Sequence, residues 1–119
     1  MRQDPALGGD PGFQDFLALE LMPRAEHEFG AAAQPDRSII AGQSFGGITV
    51  LMTAHRHPQR FGKVLSQSPS LWKAPEIIRA YADEPCDLRL HLSVVTSGAW
   101  PTTPANCTGT AWRTVSARR

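Results

Sequence analysis

The chain has 119 residues, 41% of them hydrophobic and 19% charged, with a formal net charge of +1. That balance belongs to an ordinary soluble protein of one domain, and with no basic block, no lipidation motif and no apolar run near the ~18 residues of a membrane span it points away from nucleic acid and membrane partners. The opening Met1-Arg2-Gln3-Asp4-Pro5 has no apolar stretch behind it, so no secretory signal is read and a cytoplasmic location is expected. Two cysteines, Cys86 and Cys107, are too few and too irregularly placed for a disulfide scaffold or a zinc site. They receive no role, and no metal or cofactor is expected.

In chain order, the first element is predicted to open at Asp10-Pro11-Gly12, where Asp10 suits an N-cap and Pro11 the first helical position. Phe13, Phe16, Leu17, Leu19, Leu21, Ala25 and Phe29 put most apolar side chains of this helix on one broad stripe, with Gly30 as its stop. Pro23 would kink it, and His27 is read as facing solvent. Gln34-Pro35-Asp36-Arg37 is turn chemistry, and Ser38-Ile39-Ile40-Ala41 reads as a strand buried on both faces and ending at Gly42.

From Phe45 to about His57, the apolar positions Ile48, Val50, Leu51 and Ala54 predict a helix closed by His57-Pro58. Phe61 to Ser66 reads as a second, parallel strand, followed by the polar loop Gln67-Ser68-Pro69-Ser70 and by Trp72. A short helix from Pro75 to about Tyr81 and a third strand from Asp87 to Val95 complete the pattern. Strands alternating with helices imply an α/β fold with a parallel sheet and flanking helices. Beyond Val95 neither period survives. All 11 acidic residues lie at or before Asp87, so the 32 residues from Leu88 to Arg119 contain none. Residues 96–119 are therefore expected to be an irregular or disordered tail, and residues 1–95 to be the structured part.

Gly42-Gln43-Ser44-Phe45-Gly46 is a G-x-S-x-G motif set between a β-branched strand and an apolar helix. Nucleophilic acyl chemistry needs a serine on a sharp, strained strand-to-helix turn, so that its hydroxyl projects above the sheet. Glycines two residues to either side would remove Cβ atoms that collide as strand and helix converge, and Gly47 extends the permissive turn. The N–H of Phe45 and the positive end of the following helix would face a developing oxyanion. The bland reading is a tight glycine turn carrying a surface serine.

At these residues the chain resembles the enterochelin (enterobactin) esterases and the wider esterase D group of α/β-hydrolases. The resemblance rests on Phe16-Leu17-Ala18-Leu19-Glu20-Leu21-Met22-Pro23, on Ala41-Gly42-Gln43-Ser44-Phe45-Gly46-Gly47, and on His57-Pro58-Gln59-Arg60-Phe61-Gly62-Lys63-Val64-Leu65-Ser66-Gln67-Ser68-Pro69-Ser70-Leu71-Trp72. It implies part of an α/β-hydrolase sandwich in which Ser44 hydrolyses ester bonds of a catecholate siderophore through an acyl-enzyme. Any iron would then belong to the small-molecule substrate. It also implies that the loop carrying Ser68 and Trp72 lines the substrate side. Where the family often has two adjacent aromatics, this chain has Trp72-Lys73. Trp72 reads equally as a cover over the sheet edge.

The serine needs a histidine, and the histidine a carboxylate, supplied in this fold by loops after later strands. No acid follows Asp87 and no histidine follows His91. Asp87 is expected at the wrong end of its strand, ~25 Å from the active face. His55 and His57 should lie ~16 Å from Ser44, at the far end of its helix. The expectation is a truncated reading of a longer esterase whose translation leaves the family's frame near Val95, inactive in isolation. The alternatives are a non-catalytic remnant and a related acyltransferase or feruloyl-type esterase.

Overall fold

The computed structural model describes residues 9–84, 87–96 and 109–117. Its first element begins as the capping residues require: Oδ1 of Asp10 accepts the Gly12 N–H at 3.0 Å, and Pro11 opens α1, Pro11–Asp15. The rod continues as a π turn, Phe16–Leu21, and as α2, Met22–Phe29, and ends at Gly30 with φ 67. Pro23 has no N–H to give the Leu19 carbonyl, and its ring would crowd that oxygen. The turn before it is widened, with the Met22 N–H donating five residues back to Leu17, so the helix accommodates the proline. His27 is exposed, as predicted.

The apolar stripe does not face the core. Gln14 and Ala18 are the buried residues of this rod, whereas Phe13, Phe16, Leu19, Leu21 and Phe29 are all exposed. Periodicity located the helix but not the face it buries, which is set by the close approach of α1 to the helix described next.

A single turn at residues 35–37 leads into β1, Ile39–Gln43, and Ser44 separates it from α3, Phe45–Arg56. Residues 47–54 of α3 are buried without interruption. The two threonines among them are satisfied within the helix, Thr49 Oγ1 donating to Phe45 at 3.0 Å and Thr53 Oγ1 to Thr49 at 2.7 Å. After α3 come β2, Lys63–Gln67, α4, Glu76–Asp83, and β3, Leu88–Thr96. These three strands pair in the order β1-β2-β3 and are parallel, with Gly42 opposite Ser66 and Gln67 opposite Ser93.

The core lies between α3 and this sheet, centred on Ile48, Leu51, Val64, Ile77 and Leu88. The Tyr81 hydroxyl ties α4 to α3 by donating to the Leu51 carbonyl at 2.7 Å, and the His55 ring stands edge-on to Tyr81 with its Nε2 3.1 Å from the Ala80 carbonyl oxygen.

Two expectations are corrected here. Strand β1 is not buried on both faces, since Ile39 is 63% exposed; among the described residues it is an edge strand with β2 on one side. Within the expected irregular tail, Gly109–Ala117 forms β4, antiparallel to β3 with Thr96 opposite Gly109 and Leu88 opposite Ala117. An edge strand offers a row of backbone donors and acceptors that needs no hydrophobic alternation in its partner, and Thr, Val and Trp supply β propensity. Cys86, Cys107 and residues 97–108 lie outside the described residues.

Candidate active site

Ser44 sits at the corner where β1 hands over to α3, with φ 57 and ψ −118, a conformation that costs a non-glycine residue about 1–3 kcal/mol. The residue is exposed. Its N–H donates to the Gln67 carbonyl at 3.0 Å, one step beyond the pairing of Gln43 with Gln67 in the sheet. The strain is therefore held in place by the register of two parallel strands.

The glycines act unequally. A Cβ on Gly42 would overlap the carbonyl oxygen of Gly46 and lie 2.9 Å from Val50 Cγ1. On Gly47 it would press on Ser66 Oγ at 3.0 Å and on Pro69 at 3.1 Å. Gly46, expected to relieve the same crowding as Gly42, does not: a Cβ there meets nothing within 4 Å among the described residues. It is the Gly46 carbonyl that crowds the turn, and Gly42 that yields.

Because β2 runs parallel to β1, its C-terminal loop emerges beside the elbow. Buried Ser66 donates its hydroxyl to the Gly47 carbonyl at 2.9 Å. Ser68, with φ 42, donates its N–H to the Ser93 carbonyl at 2.6 Å. Ser70 donates its N–H to the Ser44 carbonyl at 3.3 Å and places its Oγ 3.4 Å from Ser44 Oγ. Sequence reasoning missed this last contact. A serine-rich loop after a parallel strand was the available signal, but only the strand register selects Ser70 from among Ser66, Ser68 and Ser70.

Trp72 is 56% exposed, and Lys73 Nζ stands 4.7 Å from the centroid of its ring. Phe45 is the first residue of α3, so its N–H belongs to the turn that has no intrahelical acceptors. An anion beside Ser44 would meet that donor and the positive end of a 12-residue helix.

The remaining candidates lie where the sequence put them. Asp87 is exposed just ahead of β3, and His91 is mid-strand opposite Leu65. At the far end of α3, His57 Nε2 donates to Asp15 Oδ1 at 2.7 Å, and Arg56 donates to both Asp15 oxygens at 2.8 and 3.2 Å. These bonds, Arg56 first and His57 second, hold the Asp15 carboxyl below its ordinary value. Among the described residues no imidazole or carboxylate hydrogen-bonds the Ser44 hydroxyl. Nor do the described residues hold a group of three or more His, Cys, Asp or Glu side chains able to bind a metal, or a helix long and apolar enough to cross a membrane. A 440 Å³ crevice between α1, α3 and α4, lined by Gln14, Met52, His55 and Glu84 among others, does not include Ser44.

Comparison with known proteins agrees with this geometry. Residues 2–106 match the model of the family described as "Putative esterase". The iron(III) salmochelin esterase of Escherichia coli O6:H1 is 46% identical over 72 residues, which are 59% of this chain and 18% of that protein. The iron(III) enterobactin esterase of Dickeya dadantii is 45% identical over 63 residues, 53% of this chain and 14% of that protein. The chain thus spans less than a fifth of the length of either relative. The crystal structure of the enterobactin esterase of Shigella flexneri in the presence of enterobactin superimposes with a TM-score of 0.59 at 32% identity, covering 68% of this chain and 23% of that one. The fold is of the α/β-hydrolase type.

Proposed function

The chain belongs to this esterase family, and from that premise we propose that Ser44 is the acylating nucleophile of a serine esterase whose substrates are the ester bonds of catecholate siderophores. The observation that carries the proposal is the strained, outward-facing Ser44 at the junction of β1 and α3. A serine that needed only to make a turn would be glycine, which adopts positive φ without penalty.

The chemistry follows from the surroundings of that hydroxyl. Ser44 Oγ attacks the ester carbonyl, and the tetrahedral oxyanion is met by the Phe45 N–H and the helix terminus; one such donor lowers a barrier by ~3 kcal/mol. Collapse expels the alcohol and leaves an acyl-serine, which water then hydrolyses. Gly42, Gln43, Gly46 and Gly47 supply the backbone of the elbow. Ser68 and the exposed Trp72, with the Lys73 ammonium over its ring, flank the substrate side, and an aromatic there suits catechol rings. The ester-cleaving relatives named for enterobactin and salmochelin support this substrate class.

One observation favours a second reading of the isolated chain. With no imidazole hydrogen-bonded to Ser44 among the described residues, acylation is slow and turnover slower, as in a non-catalytic remnant. The test is intact-mass spectrometry after incubation with enterobactin, its ferric complex and a simple aryl ester. A catecholate acyl adduct that maps to Ser44 and is absent in Ser44→Ala supports the proposal. An adduct from the aryl ester alone transfers the chain to a different substrate class, and adducts at other serines overturn the assignment.

A further inference from the structure

Three serines follow β2 or end it, and each is committed differently. The Ser66 hydroxyl is spent on the Gly47 carbonyl, and the Ser68 backbone is drawn to Ser93 on β3. Ser70 turns to the elbow, with its N–H on the Ser44 carbonyl and its Oγ at Ser44 Oγ. Ser70 is 9% exposed, and a hydroxyl so nearly removed from water keeps a hydrogen-bond partner. The loop holds it in place: Leu71 donates to Pro69 at 2.8 Å and Lys73 to Ser70 at 2.9 Å. Ser44, by contrast, is exposed, and an exposed serine samples its three staggered χ1 wells within nanoseconds.

We infer that Ser70 is a positioning residue for the nucleophile: its fixed hydroxyl selects one rotamer of Ser44 and donates a hydrogen bond to the oxygen that attacks. The separation of 3.4 Å exceeds the ~2.8 Å optimum for two hydroxyls, so the contact orients the oxygen without clamping it and leaves the Ser44 proton free for a base. As that proton departs, the acceptor oxygen becomes an alkoxide, and a donor hydrogen bond to an ionised oxygen strengthens to about twice its neutral value. The contact is thus worth more during attack than before it. The inference deepens the esterase reading and uses Ser44 as nucleophile only in its kinetic arm.

Two measurements on the full chain test it, in wild type, Ser70→Ala, Ser70→Thr and Ser70→Cys, each checked for a cooperative melt. The first is the Hα–Hβ coupling pattern of Ser44 by NMR. The second is the rate of Ser44 phosphonylation by a fluorophosphonate as a function of pH, with Ser44→Ala as blank. Wild type is expected to show one dominant rotamer. Ser70→Ala should average the couplings, slow labelling about five- to tenfold and displace the pH profile upward, and Ser70→Thr should restore both. Should Ser70→Ala lose its melt, Ser70→Cys, a near-isostere with a weak donor, carries the same comparison and should fall between wild type and alanine. Unchanged couplings in the alanine variant, or a threonine variant that behaves like alanine, overturn the inference. If Ser44 is not labelled at all while its couplings respond to Ser70, the nucleophile reading fails and the positioning role stands. Labelling of Ser44 that is indifferent to Ser70 overturns the positioning role and leaves the nucleophile reading standing.

Discussion

A Cβ on Gly42 would overlap the carbonyl oxygen of Gly46, so the end of β1 and the first turn of α3 meet at a distance only a bare residue allows. The obstacle is backbone, reinforced by the buried Val50, and neither can swing aside. Gly42→Ala is expected to lower stability by about 1–3 kcal/mol, as overpacking does. Gly46→Ala meets open space and gains helix propensity, so it should be neutral or stabilising by up to ~1 kcal/mol. Urea denaturation of the two variants makes the comparison.

Strain at Ser44 predicts an inverse relation between stability and reactivity. Ser44→Gly relaxes φ 57 and should raise stability by about 1 kcal/mol while abolishing fluorophosphonate labelling. Ser44→Ala abolishes labelling with the strain retained. A glycine variant less stable than the alanine variant would show that the turn carries no strain.

The link between α1 and the end of α3 should respond to acid. The folded Asp15 carboxyl titrates below its unfolded value of about 4 because Arg56 and His57 hydrogen-bond its ionised form. Its contribution is complete above that unfolded value and is lost as pH falls through the lower folded one. Asp15→Asn should therefore destabilise the chain at neutral pH and flatten its stability curve below about pH 4. Thermal melts across about pH 2 to 7, a range set about the ordinary carboxylate value, would show it.

Burial separates two isoleucines that the sequence treats alike. Ile48 is fully buried beneath the elbow, and Ile48→Ala should cost about 2–5 kcal/mol. Ile39, 63% exposed on the edge strand, should tolerate alanine within about 0.5 kcal/mol. A large effect at Ile39 would mean that something covers β1 in solution.

Much of this was legible because local chemistry and position agreed. Gly42 to Gly46, set between Ile39-Ile40 and Ile48-Val50-Leu51, announce an elbow by themselves, and the three parallel strands follow from alternation and β-branching. Features that depend on a partner element were not legible. The stripe from Phe13 to Phe29 has the right period, yet Gln14 and Ala18 are the residues buried; which side of a helix faces inward is decided by what packs there. The π turn before Pro23 is one of several ways to absorb a proline. Strand β4 depends on the open edge of β3, and the contact between Ser44 and Ser70 exists only in the register that sets Gln43 against Gln67.

The esterase proposal requires above all that residue 44 present a reactive hydroxyl beside an oxyanion-stabilising helix terminus. Peptide mapping of the chain after exposure to a fluorophosphonate at alkaline pH tests it most directly. Slow phosphonylation confined to Ser44, and lost in Ser44→Ala, is the predicted result. Modification spread over Ser68, Ser70 and other serines, with Ser44 no faster than the rest, would contradict it.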